Sequence, residues 1–141
     1  MVIIDKVLDI LNSINDIKTV IYDSGFSQNL RIDRKEDPFG LVFLLNNWQL
    51  DISSGIKKEK AEVEIFFAKR ANFDATGEEK DVIVSEMEQI AENFIGKLLK
   101  DSDLNVIEDS INIQSCWGRF DAFLVGVSLR INLEEKQGSC I

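Results

Sequence analysis

The residues with the clearest spacing for chemistry are the oxygen-bearing side chains of Asp101, Asp103 and Asn105. Oxygen ligands at positions one, three and five begin a calcium-binding loop of the EF-hand type. Position six of that loop is a glycine and position twelve a bidentate glutamate, whereas this chain has Val106 and Asn112 there. The pattern therefore favours a polar turn between a helix and a strand over a calcium site.

A second candidate is Ser54, followed three positions later by Lys57, which is the spacing of a serine nucleophile and a lysine base. The Ser-Asp-Asn and Lys-Thr-Gly elements that accompany this pair in such enzymes do not occur in the chain. Both residues also lie in a polar stretch that has the composition of a hairpin loop. We therefore interpret them as loop residues.

Histidine is absent from the 141 residues. A Ser-His-Asp triad, a Cys-His pair and a histidine-bearing zinc site are thereby excluded. The 25 Asp and Glu residues could supply an acid and a base, but no spacing selects two of them. The eight glycines are scattered singly, so no phosphate-binding loop is indicated. We expect no catalytic residue, no cofactor and no metal; an enzyme that works through unrecognised carboxylates is the least favoured alternative.

The cysteines and tryptophans give weak signals. Cys116 and Cys140 are too few for a disulfide framework or a cysteine zinc site, so we expect two reduced thiols. Trp48 and Trp117 could stack on a base or a sugar. Tryptophans in strands are more often partly buried packing residues, which is the favoured interpretation of both.

Charge is distributed unevenly along a chain whose formal net charge is -9. Residues 71–96 hold seven acidic residues and one lysine, and residues 101–118 hold four acidic residues and no cation. Such an acidic chain lacks the basic footprint of a specific nucleic-acid-binding protein. A cluster of cations lies on the first predicted hairpin: Lys57, Lys58, Lys60, Lys69 and Arg70. The cluster is either a solvated loop tip or a subunit interface, in which it contacts an acidic face of an identical neighbour.

No targeting or membrane segment is indicated. Asp5 and Asp9 interrupt the apolar start of the chain, unlike the uncharged core of a secretory signal. No apolar run approaches the roughly 18 residues that span a bilayer. With one proline, no linker and no repeat, the chain is predicted to be a single domain over residues 1–141 and to be cytosolic.

The elements that must position these residues follow from hydrophobic spacing. Apolar residues recur at helical steps from Ile3 to Ile17, and a β-branched run at 18–22 predicts a strand. Residues 23–38 have a turn-like, charged composition. We predict an irregular stretch there, with one short strand near Leu30 and Ile32.

A long antiparallel hairpin is predicted next. Residues 39–52 and 61–71 are rich in strand formers, and residues 53–60 have the composition of its loop. In the second arm Val63, Ile65 and Phe67 alternate with a mixed set, Glu62, Glu64 and Phe66. One face of this strand is therefore expected to lie in a core.

The second half of the chain predicts a helix and a closing hairpin. Thr76 and Glu79 have the spacing of a capping box, and an amphipathic pattern of some 22 residues follows. A strand is expected at 104–116, a tight connection at Trp117-Gly118-Arg119, and an alternating strand at 123–133. The fold class is thus α+β: an antiparallel sheet with long hairpins, packed by an N-terminal helix and a central amphipathic helix.

This layout resembles a family of virus assembly proteins. The segments that carry the likeness are Ala61-Glu-Val-Glu-Ile-Phe-Phe-Ala68, Asn72-Phe-Asp74, Gly77-Glu-Glu79, Arg119-Phe-Asp121, Gly126-Val-Ser-Leu-Arg-Ile-Asn-Leu133 and Gly138-Ser-Cys140. They are similar to small prophage proteins encoded among the tail genes of gut Bacteroidetes, and the layout of helices and hairpins resembles that of tail-terminator and tail-completion proteins of long-tailed bacteriophages. The likeness covers most of residues 1–133, except 23–38.

The resemblance implies a structural protein that forms a ring of six subunits, caps the tail tube and contacts other tail or neck proteins. It implies a location in the virion, or in the host bacterial cytoplasm during assembly, and it brings no catalytic residues. An acidic lumen suits such a ring, because it repels the phosphates of passing DNA. The alternative is a small monomeric protein-interaction or ligand-binding module without catalytic activity.

Overall fold

The computed structural model describes residues 2–22, 35–45, 48–72, 74–119 and 123–141. Within these ranges the chain forms two helices, α1 (Val2–Asn12) and α2 (Gly77–Leu99), and seven strands. The strands are β1 (Thr19–Tyr22), β2 (Phe39–Leu44), β3 (Gln49–Ser53), β4 (Ile56–Arg70), β5 (Leu104–Arg119), β6 (Leu124–Glu135) and β7 (Ser139–Cys140).

The two helices form where the sequence pattern places them. The backbone N–H of Glu79 donates to the Oγ1 of Thr76 at 3.2 Å, so Thr76 is the N-cap of α2. The first helix ends at Asn12, earlier than its apolar spacing suggests. Ile14 and Ile17 remain buried beyond its end. Neither helix of the described chain has the length and apolar composition that crossing a membrane requires.

All the described strands belong to one sheet, with the order β1-β2-β4-β6-β5 and with β3 and β7 also paired to β4. The pairing of β1 with β2 is parallel, and the other described pairings are antiparallel. The α+β class with helices packed on a largely antiparallel sheet is confirmed. The parallel pair makes the sheet mixed.

The predicted first hairpin differs in detail. Its first arm is two strands, β2 and β3, which pair with successive parts of the same edge of β4. The eight-residue loop predicted at 53–60 is wrong, because β4 already begins at Ile56. The turn consists of Ser54 and Gly55, whose φ angles are 53° and 78°. Positive φ at both central residues matches the twist of a two-residue hairpin.

The closing hairpin also departs from expectation. The connection predicted at Trp117-Gly118-Arg119 is wrong, because β5 continues to Arg119, which pairs with Leu124. The β5–β6 register shifts between Ile107 and Asn112, where β5 carries extra residues. The short strand predicted near Leu30 and Ile32 lies outside the described residues.

The two faces of the sheet differ. Alternate residues of β4, including Val63, Ile65 and Phe67, face the helices in the main core, as predicted. The rings of Phe67 and Phe94 have centroids 5.8 Å apart. The opposite face carries a smaller buried cluster, formed by Ile21, Phe39, Leu41, Phe66, Ala68 and Leu124. Beyond that cluster, the same face is polar.

Candidate functional site

One end of β4 projects as a three-stranded arm, made of β3, β7 and residues 56–60 of β4. The β3 register runs from Gln49 opposite Lys60 to Ser53 opposite Ile56. On the other edge Ile56 pairs with Cys140. Gly138 precedes β7 with a φ of 65°, and a side chain there would overlap the carbonyl oxygen of Lys57. Backbone pairing on both edges therefore defines the shape of the arm tip.

The arm exposes apolar side chains. Ile52 is 61% exposed and Ile56 is 42% exposed, and Leu50, Trp48 and Ile141 are exposed as well. The N–H of Ile141 donates to the carbonyl of Gly55 at 3.0 Å, so this residue belongs to the tip. Apolar patches rimmed by polar residues are typical of interaction sites. Trp48 also donates from Nε1 to the Oε1 of Glu59, at 3.4 Å.

The five cations predicted as a subunit interface form two separate groups, one at each end of β4. Lys57, Lys58 and Lys60 lie on the arm, whereas Lys69 and Arg70 lie at the far end of the strand. The eleven residues from Lys58 to Lys69 span roughly 36 Å at about 3.3 Å per residue. The structure therefore does not bring these five residues together, and their role in an interface stays a prediction.

The two groups also differ in what surrounds them. The Nζ of Lys69 lies 3.6 Å from the Oε2 of Glu86 on α2. The guanidinium of Arg70 donates to the carbonyl of Lys35 at 2.6 Å and lies 5.0 Å from the ring centroid of Phe39. These contacts hold both cations against their own chain.

On the arm, the Nζ of Lys60 lies 3.3 Å from the Oδ2 of Asp51. Lys57 and Lys58 have no ion pair with any residue that the structure describes. They are therefore the arm cations whose charge is available to a partner.

An acidic surface lies on α2, which carries six acidic residues and two lysines. Next to it is a cleft of ≈ 490 Å³, which we call the socket, between α2 and the connection from α1 to β1. Met87 and Ile90 form its buried floor, and Asp16, Glu86 and Gln89 are exposed at its rim. Asp16 has no ion pair within the described ranges.

A second cleft, of ≈ 480 Å³, lies on the polar part of the sheet face opposite the helices, and we call it the groove. Glu64 is almost fully buried there, and its Oε2 accepts a 2.7 Å hydrogen bond from the Nε of Arg130. Arg130 is 59% exposed at its side chain. The hydrogen bond and the charge of Glu64 raise the pKa of Arg130 above its ordinary value. The hydrogen bond to Glu64 positions the guanidinium at the groove, where Arg130 is one of the lining residues.

The other groove residues come from three strands, and most of them are polar. They are Glu62 on β4, Ser128, Ile131 and Asn132 on β6, and Ser110, Asn112, Gln114 and Cys116 on β5. The Oγ of Ser110, in the irregular part of β5, accepts from the N–H of Asn132 at 2.9 Å. The Oδ1 of Asn132 is buried and accepts no hydrogen bond from the described residues. Chemically, this surface can donate and accept hydrogen bonds around one fixed cation.

Glu59 is a structural residue that no local sequence signal indicates. Its carboxylate accepts from the backbone N–H of Val2 at 3.0 Å and of Ile3 at 3.4 Å. A carboxylate at the first turn of a helix is stabilising, because the unpaired N–H groups and the dipole of the helix point toward it. Because 57 residues separate Glu59 from Val2, only the fold shows that the arm is fastened to α1.

The candidate calcium loop is a helix-to-strand turn, as predicted. The Oδ1 of Asp101 accepts from the N–H groups of Asp103 and Leu104 at 2.8 and 3.2 Å. The Oδ2 of Asp103 lies 2.6 Å from the Nζ of Lys6, whose hydrogen bond and charge lower the pKa of that carboxyl. No group of three or more metal-binding side chains occurs in the part of the chain that the structure describes.

The sequence also offered the serine–lysine pair, the two cysteines and Trp117 as candidates. Ser54 is the first residue of the β3–β4 turn, and Lys57 is in β4, so the pair belongs to the hairpin. Cys116 is partly buried and Cys140 is exposed, and both are free thiols. The side chain of Trp117 lies outside the described part of the structure.

No protein-family model matches the chain. A search of curated proteins finds no match either.

Proposed function

We propose that this protein is a structural subunit that assembles head to tail into a ring of identical chains. The observation that carries the proposal is the contrast between the two ends of the molecule. One end carries the arm, with exposed isoleucines and with Lys57 and Lys58, which form no ion pair with a described residue. Toward the other end of β4, Glu86 lies 3.6 Å from Lys69 and belongs to the acidic first part of α2. Different surfaces that complement each other on one chain produce heterologous contacts, which close into rings when the rotation allows.

We further propose that the ring is the tail terminator or a neck component of a bacteriophage or prophage. The likeness of the element layout to tail-terminator proteins supports this setting, and that family suggests six subunits. Its place would be the virion, or the host cytoplasm during assembly. The net charge of -9 is compatible with a ring through which DNA passes, since acidic walls repel phosphate.

Mass in solution tests the assembly. We expect sedimentation velocity and light scattering to give a concentration-dependent oligomer, with a mass that is a multiple of 16.0 kDa. Electron microscopy should show closed rings with a central opening. A chain that stays at 16.0 kDa at every concentration would contradict the proposal.

The neighbouring genes test the phage setting. Tail-tube and tape-measure genes beside the gene for this protein would support that setting. Neighbouring genes of another class would contradict the phage setting and leave the ring proposal in place.

The groove favours a second candidate function, a monomeric binding module for a polar ligand. Its fixed Arg130 and the exposed amides of Asn112 and Gln114 are groups that such a ligand could contact. Screening the monomer against peptide and glycan arrays, with Arg130→Met as the control, tests this candidate. Binding by the monomer that disappears in the variant would favour it over the ring. Equal signals from the two proteins would remove it.

A further inference from the structure

We propose that the arm tip of one chain inserts into the socket of a second copy of this chain. The inference rests on the proposed head-to-tail assembly and names its two surfaces. The tip is the β3–β4 turn with Ile52, Ile56, Lys57 and Lys58. The socket is the cleft between α2 and the α1–β1 connection.

The two surfaces complement each other in polarity. On the tip, Ile52 shares one face with Lys57 and Ile56 shares the opposite face with Lys58, and neither lysine has an ion pair with a described residue. The socket has a floor of Met87 and Ile90 and the carboxylate of Asp16 at its rim, beside Glu86, which already pairs with Lys69 of the same chain. An apolar centre surrounded by charges of opposite sign on the two partners is the usual anatomy of a specific interface.

Geometry requires the socket to belong to another molecule. The tip lies at the start of β4, whereas Glu86 of the socket lies 3.6 Å from Lys69, near the end of the same strand. The strand between them spans roughly 36 Å. A chain therefore cannot fill its own socket with its own arm. Each chain uses one tip and offers one socket, so an open assembly always keeps one unused tip and one unused socket for further chains.

The size and shape of both parts suit insertion. The socket is an open cleft of ≈ 490 Å³, which is in the size range of clefts that bind small ligands. The tip ends in a two-residue turn, so it is narrow. Pairing of β4 with β3 and β7 holds its backbone in place. A preordered tip loses little conformational entropy on binding.

Charge reversal tests the pairing. The tip variant is Lys57→Glu with Lys58→Glu, and the socket variant is Asp16→Lys with Gln89→Lys, which leaves the Lys69–Glu86 pair intact. Each variant alone should have a mass of 16.0 kDa by sedimentation velocity, under conditions in which the unmodified protein assembles. An equimolar mixture should regain the assembled mass, because each altered surface then meets an opposite charge. Added salt should weaken assembly of the unmodified protein, since exposed charges are screened.

The matched control is Lys97→Glu with Lys100→Glu, an equal charge change at exposed positions near the end of α2. It should assemble like the unmodified protein, and circular dichroism should show that every variant is folded. If tip and socket variants still assemble alone, or if their mixture stays monomeric, the inference is overturned while the ring proposal stands. If the unmodified chain never assembles, both are overturned.

Discussion

Each half of β4 pairs with two neighbouring strands, but the side chains of one half are mostly buried and those of the other half are mostly exposed. Residues 61–68 pair with β2 and β6, and most of their side chains are buried. Residues 56–60 form the arm with β3 and β7, and most of their side chains are exposed or half-buried. Hydrogen bonding thus maintains one continuous strand, while burial is confined to one half. We infer that the inner half supplies stability and the outer half supplies contact surface.

The largest expected effect on stability comes from the inner half. Phe67 is fully buried against Phe94, so Phe67→Ala removes a large apolar side chain and leaves a cavity. We expect a loss of about 3–5 kcal/mol in the free energy of unfolding, measured with urea. The control is Ile52→Ala on the exposed arm, expected to change stability by no more than about 0.5 kcal/mol. Equal losses in the two variants would contradict the division of β4.

A smaller loss is expected at the polar part of the inner half. Arg130→Met removes the charge-assisted hydrogen bond that the buried carboxylate of Glu64 accepts. Without that hydrogen bond the buried carboxylate is less well compensated, so the free energy of unfolding should fall by about 1–3 kcal/mol. Adding Glu64→Gln should restore part of the loss, because a neutral amide is easier to bury. Urea titration of the two single variants and the double variant measures this coupling; simple additivity would mean that the pair contributes nothing of its own.

The arm itself is tested at Gly138. Gly138→Ala places a side chain at a positive φ and against the carbonyl of Lys57, which should displace β7. We expect faster hydrogen exchange at Ile56 and Cys140, weaker self-association and a loss of about 1 kcal/mol in stability. The control is Gly96→Ala on α2, where the space is open and a gain of about 0.5–1 kcal/mol is expected. Unchanged exchange at the tip would show that β7 does not hold the arm.

The smallest effect is expected at Lys6 and Asp103, an exposed pair that joins α1 to the turn before β5. Lys6 lowers the pKa of Asp103 below its ordinary 3.8, so the pair stabilises the fold above that pH. The stabilisation is lost as pH falls through the lowered pKa. Asp103→Asn should therefore lower the melting temperature slightly at pH near 7 and not in strong acid. If the difference in melting temperature between Asp103→Asn and the unmodified protein grew as the pH fell, the predicted direction of the pH dependence would be contradicted.

The elements that the sequence predicts well are those with a local physical cause. The second helix has its own cap at Thr76 and a long apolar stripe, and β6 alternates without interruption because one face is buried. The loop at 53–60 was a wrong prediction for the converse reason. Residues 57–60 of the arm are lysines and a glutamate, and its buried position is Glu59, so apolar and polar residues do not alternate and the composition resembles a loop. Ser54-Gly55 is the local signal that indicates a two-residue turn there.

The candidate surfaces were less predictable, because residues that are close in the sequence can lie far apart in the fold, and residues far apart in the sequence can lie together. The cations from Lys57 to Arg70 form one cluster in the sequence and two groups in the fold. The groove needs three strands, and its Glu64 and Arg130 are 66 residues apart. The socket lies between elements whose packing depends on the whole core. Composition indicates the charges of these surfaces, and only the fold indicates their shapes.

The central position of β4 also has a consequence for synthesis on the ribosome. Its partners β2 and β3 precede it in the chain, whereas β6 and β7 are translated more than fifty residues after its end. During that interval one edge of a strand containing Ile65, Phe66 and Phe67 is without its native partner. Unpaired apolar strand edges bind other chains readily, so nascent chains are most vulnerable to aggregation at this stage. The first helix is already made at this stage and packs on the core face of β4, and the long helix that follows β4 is the next element that can cover that face.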